Sequence, residues 1–246
     1  MNNFVYKLSE ETKLIDSLSQ SQLISREQLL EIKKLYNAGV PYHNFVHALK
    51  VAEGVLLLPT NIYSIVEIRS LFIAALFHDA GHSGTAQDLD EFRSLDLAFQ
   101  GILDFEKKYD YQGIDFAIVR QAIIGTVFKN RANNTNQYAI LLADLDIATI
   151  GMNFSEFLYY ADFPFSVECA VKIDNWIQDY NFFKFLVSVD KNIFRTELVR
   201  SIFPEALKNI RKYTHLKKEK IGKIFSYWNE NDIHYEEFEN FYNKNS

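Results

Sequence analysis

The sequence predicts an all-α fold, a helical bundle, on three observations. Apolar residues recur at spacings of three and four along most of the chain rather than alternating. Two capping boxes open such stretches, Ser25-Arg26-Glu27-Gln28 and Ser64-Ile65-Val66-Glu67, where a serine and the glutamine or glutamate three residues on bond reciprocally to backbone N–H groups. With nine glycines and four prolines in 246 residues, no linker, low-complexity tract or internal repeat interrupts the pattern.

The elements follow in order. Leu29, Leu30, Ile32, Leu35 and Tyr36 form the stripe of the helix that Ser25 caps, which closes at Gly39-Val40-Pro41. Asn44 to Leu58 reads as an apolar helix. Ile65, Ile68, Leu71, Phe72, Ala75 and Leu76 carry the next stripe to His78-Asp79, just before Gly81, where a helix should stop. After a loop over Ser83 to Ala86, Leu89, Phe92, Leu95, Phe99, Ile102 and Leu103 define another helix, and Ile114, Ile118, Ala122 and Ile123 a further one after Gly113. Asn130 to Asn136 reads as a polar connection leading to an apolar segment from Tyr138 to Ala148. Ser155 to Tyr160, Val167 to Val189, Thr196 to Tyr213 and Lys217 to Glu230 also read as helices, with Pro164 marking a break and Pro204 a kink or restart. The expected organisation is one domain over residues 1–246, with a motif-bearing core at 40–150 and a helical C-terminal part at 151–246.

Composition narrows the class. A hydrophobic content of 48% is enough for a sizeable core, and a net charge of −6 with no dominant basic block argues against nucleic acid as a partner. Lys208, Arg211, Lys212, Lys217, Lys218, Lys220 and Lys223 read as a solvated helix face rather than a guide for an anionic substrate. The single Cys169 excludes an intrachain disulfide, fits a reducing compartment and reads as core filler. Met1 to Lys7 lacks the charged-then-apolar order of a signal peptide, and no apolar run approaches the roughly 18 residues that span a bilayer. The expectation is a soluble, cytoplasmic protein with no membrane partner.

Four of the six histidines lie in two clusters, Tyr42-His43-Asn44-Phe45-Val46-His47-Ala48 and His78-Asp79-Ala80-Gly81-His82-Ser83-Gly84. A third segment, Ala143-Asp144-Leu145-Asp146, adds two carboxylates. Neutral imidazole and carboxylate hold divalent transition metals, and a compact fold can bring three such segments together. His43 and His47, four residues apart, would project from one face of a helix beginning at Asn44. A charged Asp79 at the end of the apolar run Leu71 to Phe77 would be costly without a cation or hydrogen bonds to compensate it. These residues therefore read as a metal site.

The same residues carry a family resemblance. His47, His78-Asp79 and Asp144 resemble the H…HD…D signature of the HD-domain metal-dependent phosphohydrolases. Tyr42-His43-Asn44-x-x-His47-Ala48, His78-Asp79-x-x-His82-x-Gly84 and Ala143-Asp144-Leu145 are similar in particular to the catalytic core of cyclic-nucleotide phosphodiesterases, over residues 40 to 150. The resemblance implies an HD-domain or phosphodiesterase-like helical bundle that hydrolyses a phosphodiester bond of a cyclic nucleotide with a metal-bridging hydroxide. It implies a first metal, zinc, manganese or iron, on His47, His78, Asp79 and Asp144, with Asp144 preferred over Asp146 because it holds the family's place in Ala-Asp-Leu. No other histidine occurs until His215, so a second ion, magnesium or manganese, is expected to share Asp79 and to be held otherwise by water.

By the same resemblance, His43 protonates the leaving oxygen, Glu91 orients His43, and His82 hydrogen-bonds near the bridging water. The family reads its purine with a glutamine and an aromatic clamp. Gln178, followed by Phe182-Phe183, is the nearest candidate, against the reading of a surface polar residue beside core aromatics. The expected partner is a small-molecule phosphoester, a nucleotide. Three alternatives stand beside the phosphodiesterase reading: a nucleotide phosphomonoesterase or pyrophosphohydrolase, a non-catalytic regulator that binds metal and nucleotide, and a di-iron oxygenase of the same superfamily. The last resembles sites with further histidines between the His-Asp pair and the final aspartate, and this chain has none from Ser83 to Leu145.

Overall fold

The computed structural model describes residues 4–84, 90–178, 193–214 and 218–246, and among these every regular element is a helix. The first half contains α1 (Leu8–Ser19), α2 (Arg26–Lys33), α3 (Phe45–Val55), α4 (Ile65–Phe77), α5 (Asp90–Tyr109), α6 (Phe116–Gly125) and α7 (Gln137–Asp146). Both capping boxes form as expected, on Ser25 with Gln28 and on Ser64 with Glu67. Asn44, Asp115 and Asn136 cap α3, α6 and α7 through their side-chain oxygens.

Helix α4 is the centre of this half because from Leu71 onwards it is apolar all round. Its residues Leu71 to Phe77 are all buried, and α3, α5, α6 and α7 pack against it. Gly125 lets α6 and α7 approach closely, since a Cβ there would stand 2.4 Å from the Ala139 Cα. α4 ends at Phe77 with His78 as its C-cap, and Gly81 makes the turn beyond it at φ +76°. The expected polar connection at 130–136 is overlapped by a 3₁₀ helix, Phe128–Asn133, whose Arg131 is buried.

The second half runs through α8 (Phe154–Phe157), a π-helical turn (Leu158–Asp162), α9 (Phe163–Glu168), α10 (Ile173–Gln178), α11 (Glu197–Ile202), α12 (Ala206–Thr214), α13 (Lys218–Glu230) and α14 (Tyr235–Asn245). The helix expected from Val167 to Val189 instead ends at Glu168 and restarts at Ile173, with Ala170 at φ +54° in the turn between. Pro164 does not break the chain. It lies at the start of α9 directly after the π turn, where the helix widens so that the Phe163 N–H reaches back five residues to the Leu158 carbonyl and the helical run continues through the proline. The restart expected at Pro204 occurs between α11 and α12. Cys169 is exposed, not core, because it follows the last turn of α9. Leu89, Phe182, Phe183, Val189, His215, Lys217 and the Gln178 side chain lie outside the described residues.

Aromatic packing joins this half to the N-terminus. Phe163, Phe225, Trp228 and Phe238 are buried against one another. Lys7 is buried over the Trp228 ring and donates to the Trp228 and Asn231 carbonyls, and burial lowers its pKa to about 8. Glu10 on α1 accepts from the Tyr160 hydroxyl (2.6 Å) and the Tyr235 backbone N–H (2.8 Å).

Asp162, the last residue of the π turn, is fully buried. Its Oδ1 accepts from Trp176 Nε1 and the Tyr213 hydroxyl, each at 2.8 Å, while its Oδ2 has no hydrogen-bond partner. Burial pushes this carboxyl up to about 7 against those two bonds. Because the folded pKa exceeds the unfolded value, the stabilisation is complete below about pH 4 and is lost as the pH rises through 7. The loss is on the order of 4 kcal/mol at its limit, roughly 10 °C in Tm. Thermal melts from pH 5 to 8 are expected to show this decline, and Asp162→Asn, which keeps the accepting oxygen, to flatten it. An equally steep decline in the variant would remove Asp162 as its source.

Candidate metal centre

Three helix ends build the site. Asn44 fixes the first: its Oδ1 accepts from the Val46 N–H (2.9 Å) and His47 N–H (3.2 Å), and its Nδ2 donates to the Pro41 (2.7 Å) and Val40 (3.1 Å) carbonyls. This one side chain starts α3 and ties down the preceding loop, so His47 enters the interior from the first turn while His43 stays just outside the helix. At the end of α4, the His78 Nδ1–H donates to the Ala75 carbonyl (2.8 Å), which fixes the tautomer and leaves Nε2 facing inward. Asp79 follows in the turn, and α7 brings Asp146 at its last position.

His47 Nε2 stands 2.8 Å from Asp146 Oδ1 and 3.6 Å from Asp79 Oδ2, and His78 Nε2 stands 3.1 Å from Asp79 Oδ2 and 3.4 Å from Asp146 Oδ1. The ligand atoms of His47, His78 and Asp146 lie within 4.8 Å of one another, a group that could hold a metal ion. The donor set fits one. With Nδ1–H committed to Ala75, the neutral His78 ring presents a lone pair to two carboxylate oxygens, and neither His78 Nε2 nor Asp79 Oδ2 has a hydrogen-bond partner. A cation between them removes that conflict. A proton is the other remedy: against burial, Asp79 and Asp146 drive His78 well above the usual imidazole range. Burial likewise opposes but does not prevent a fall in the pKa of Asp79 beside His78, and of Asp146 bonded to His47.

Asp144 is not in this cluster, contrary to the expectation from Ala-Asp-Leu. It is fully buried on another side of α7, where its Oδ1 accepts from Arg131 (2.6 Å) and its Oδ2 from the Arg195 N–H (2.9 Å), the Thr196 N–H (2.7 Å) and the Thr196 hydroxyl (2.9 Å). Two residues along a helix turn the side chain by roughly 200°, so α7 can present only one of the two aspartates to α3 and α4. Asp146 takes that place, and Asp144 ties α7 to the segment entering α11.

His43 is oriented by Glu168, not by Glu91. Its Nδ1 donates to Glu168 Oε1, while Glu168 Oε2 accepts the Tyr42 (2.7 Å) and His43 (3.1 Å) backbone N–H groups. Burial raises and His43 lowers the Glu168 pKa, with a net fall. Burial opposes charging of His43, but Asp79 and Glu168 outweigh it and raise its pKa to about 9. The His82 ring stacks on His43 at 4.0 Å and 15°. Its Nδ1 accepts the Gly84 N–H (3.0 Å) and its Nε2 lies 3.5 Å from Asp90 Oδ2; burial and the neighbouring His43 lower its pKa. Glu91, in the first turn of α5, has a buried Oε2 without a hydrogen-bond partner, and burial raises its pKa. Phe165 packs on Tyr42 (5.1 Å) and His43 (6.3 Å), while the buried Tyr159 and Tyr160 line a cavity together with Tyr42 and His47.

The fold and site thus define an all-helical protein with a histidine–aspartate cluster able to hold a metal and a hydrogen-bonded His43–Glu168 pair beside it. The model of the 3′5′-cyclic nucleotide phosphodiesterase family matches residues 42–98, which include His43, His47, His78, Asp79, His82 and Glu91. This stretch is a phosphodiesterase-like core. No curated protein matches the chain. Among the described residues no helix is long and apolar enough to cross a membrane.

Proposed function

We propose that this chain is a metal-dependent phosphohydrolase that cleaves a phosphodiester bond, with a cyclic nucleotide as the preferred substrate class. One juxtaposition carries the reading: the His43–Glu168 pair stands beside the cluster of His47, His78, Asp79 and Asp146. In this reading those four residues hold the first ion, of zinc, manganese or iron type, and Asp79 is shared with a magnesium or manganese ion held otherwise by water. When bound, the ions neutralise phosphate charge and lower the pKa of a coordinated water from about 15.7 towards 7.

The chain's own residues do the rest. Glu168 accepts the Nδ1 proton of His43, so the opposite nitrogen, Nε2, carries the proton for the departing ester oxygen. His82, stacked on the same ring, restricts its tilt, and Tyr42 walls the space between His43 and His47.

Chelator-stripped protein refilled with manganese is expected to hydrolyse a chromogenic phosphodiester faster than the matching monoester, and Asp79→Ala to abolish that turnover. Faster monoester turnover would replace this reading with a phosphomonoesterase. Metal and nucleotide binding without turnover of either would replace it with a non-catalytic regulator.

A further inference from the structure

His43, His82 and Glu168 form a second group whose ligand atoms all lie within 4.8 Å of one another. It is separate from the first, since its histidines are not those of the His47–His78–Asp146 group, and the His43 and His47 rings are 6.4 Å apart. Two imidazoles and one carboxylate are a donor set that suits zinc and leaves a coordination position open. The three side chains come from the loop before α3, the turn after α4 and the end of α9, and His43 and Glu168 are already anchored against each other. Glu168 Oε2 is fixed by two backbone N–H groups, Asp90 backs the His82 ring, and His43 and Glu168 share a proton.

We propose that this group is an additional, inhibitory cation site for a borderline ion of the zinc type, apart from the two ions of the proposed catalytic centre. The ion takes the place of the proton between His43 Nδ1 and Glu168 Oε1, that proton passes to solvent, and His82 turns out of its stack on His43 so that one of its nitrogens exchanges its Gly84 or Asp90 contact for the ion and completes the protein ligands. Metal-bound, His43 is no longer the imidazolium that donates a proton to the leaving oxygen. Binding at the group stands on its geometry alone; inhibition rests on the function proposed above.

The test is zinc stoichiometry on the chelator-stripped full-length chain, measured by equilibrium dialysis with elemental analysis. His78→Ala combined with Asp146→Ala, which disables the first cluster, is expected to leave one bound zinc per chain. Adding Glu168→Gln to that chain is expected to weaken this zinc by at least roughly 100-fold. Should the double variant not fold, Glu168→Gln and His82→Ala in the otherwise native chain are each expected to lower the stoichiometry by one. In the manganese-loaded native protein, excess zinc is expected to suppress turnover. A double variant that folds and binds no zinc, or zinc binding indifferent to both Glu168→Gln and His82→Ala, would overturn the site. Full turnover with zinc bound at this additional site would overturn the inhibition and leave the site standing. A chain inactive towards every ester would defeat the proposed function without touching the stoichiometry.

Discussion

Replacing Asp146 by asparagine is expected to weaken binding of the first metal by at least about 100-fold and to abolish metal-supported hydrolysis, with the melting temperature of the stripped protein little changed. Asp146 Oδ1 faces both His47 Nε2 and His78 Nε2, and its pKa is depressed by those same partners, so the carboxylate charge is what the site uses. Asp144→Asn is expected to do the opposite. Its carboxylate neutralises the buried Arg131, whose guanidinium also donates to the Ala143 and Ile193 carbonyls, and breaking a buried pair from one side costs about 3–5 kcal/mol. That corresponds to a fall in Tm of roughly 10 °C, while whatever remains folded keeps its metal cluster. Metal affinity and thermal melts on the two variants separate the roles. Loss of metal from a fully stable Asp144→Asn protein would reverse them.

His43→Asn is expected to lower kcat by about 10²–10⁴-fold on a phosphodiester with an alkoxide leaving group, and far less with a nitrophenolate, which departs without a proton. Glu168→Gln should fall between His43→Asn and the native protein, because glutamine retains an oxygen for Nδ1 but not the charge that stabilises the imidazolium. Glu91→Gln should stay within a few-fold of native. Kinetics of the three variants on paired substrates check the assignment, and a larger loss in Glu91→Gln than in Glu168→Gln would return the orienting role to α5.

These two pairs mark where sequence reasoning stopped. Both capping boxes and the buried parts of the stripes of α2, α4, α5 and α6 were legible because each is a local pattern that the helix interior or its cap requires; Ile65, Phe92 and Leu103, counted into those stripes, stand exposed. The clustering of His43, His47, His78, Asp79 and His82 was legible for a related reason: each motif sits at a helix start or end, and α3 and α4 pack side by side. The choice between Asp144 and Asp146 depends on the rotation of α7 about its own axis, which is set by the buried Arg131 and by Thr196, 52 residues beyond Asp144. Neither signals itself locally; Arg131 lies in a stretch whose polar composition reads as a surface connection. Glu168 lies 125 residues from His43, past a π turn and a proline that together read as a break, so no spacing rule could have paired them. Glu91 was the plausible substitute only because it lies near the motifs in sequence.

The π turn also sets the register of everything after it. Leu158–Asp162 holds one more residue per turn than the helix segments on either side, so Glu168 reaches the His43 loop at an angle that α geometry alone would miss by roughly 100°. Deleting a single residue from that turn would leave the chemistry of every side chain in the metal centre intact. It would nevertheless swing Glu168 around the helix axis and release His43. In this lineage, an insertion or deletion of one residue on a buried helix more than seventy positions from the histidine motifs would therefore count as an active-site change.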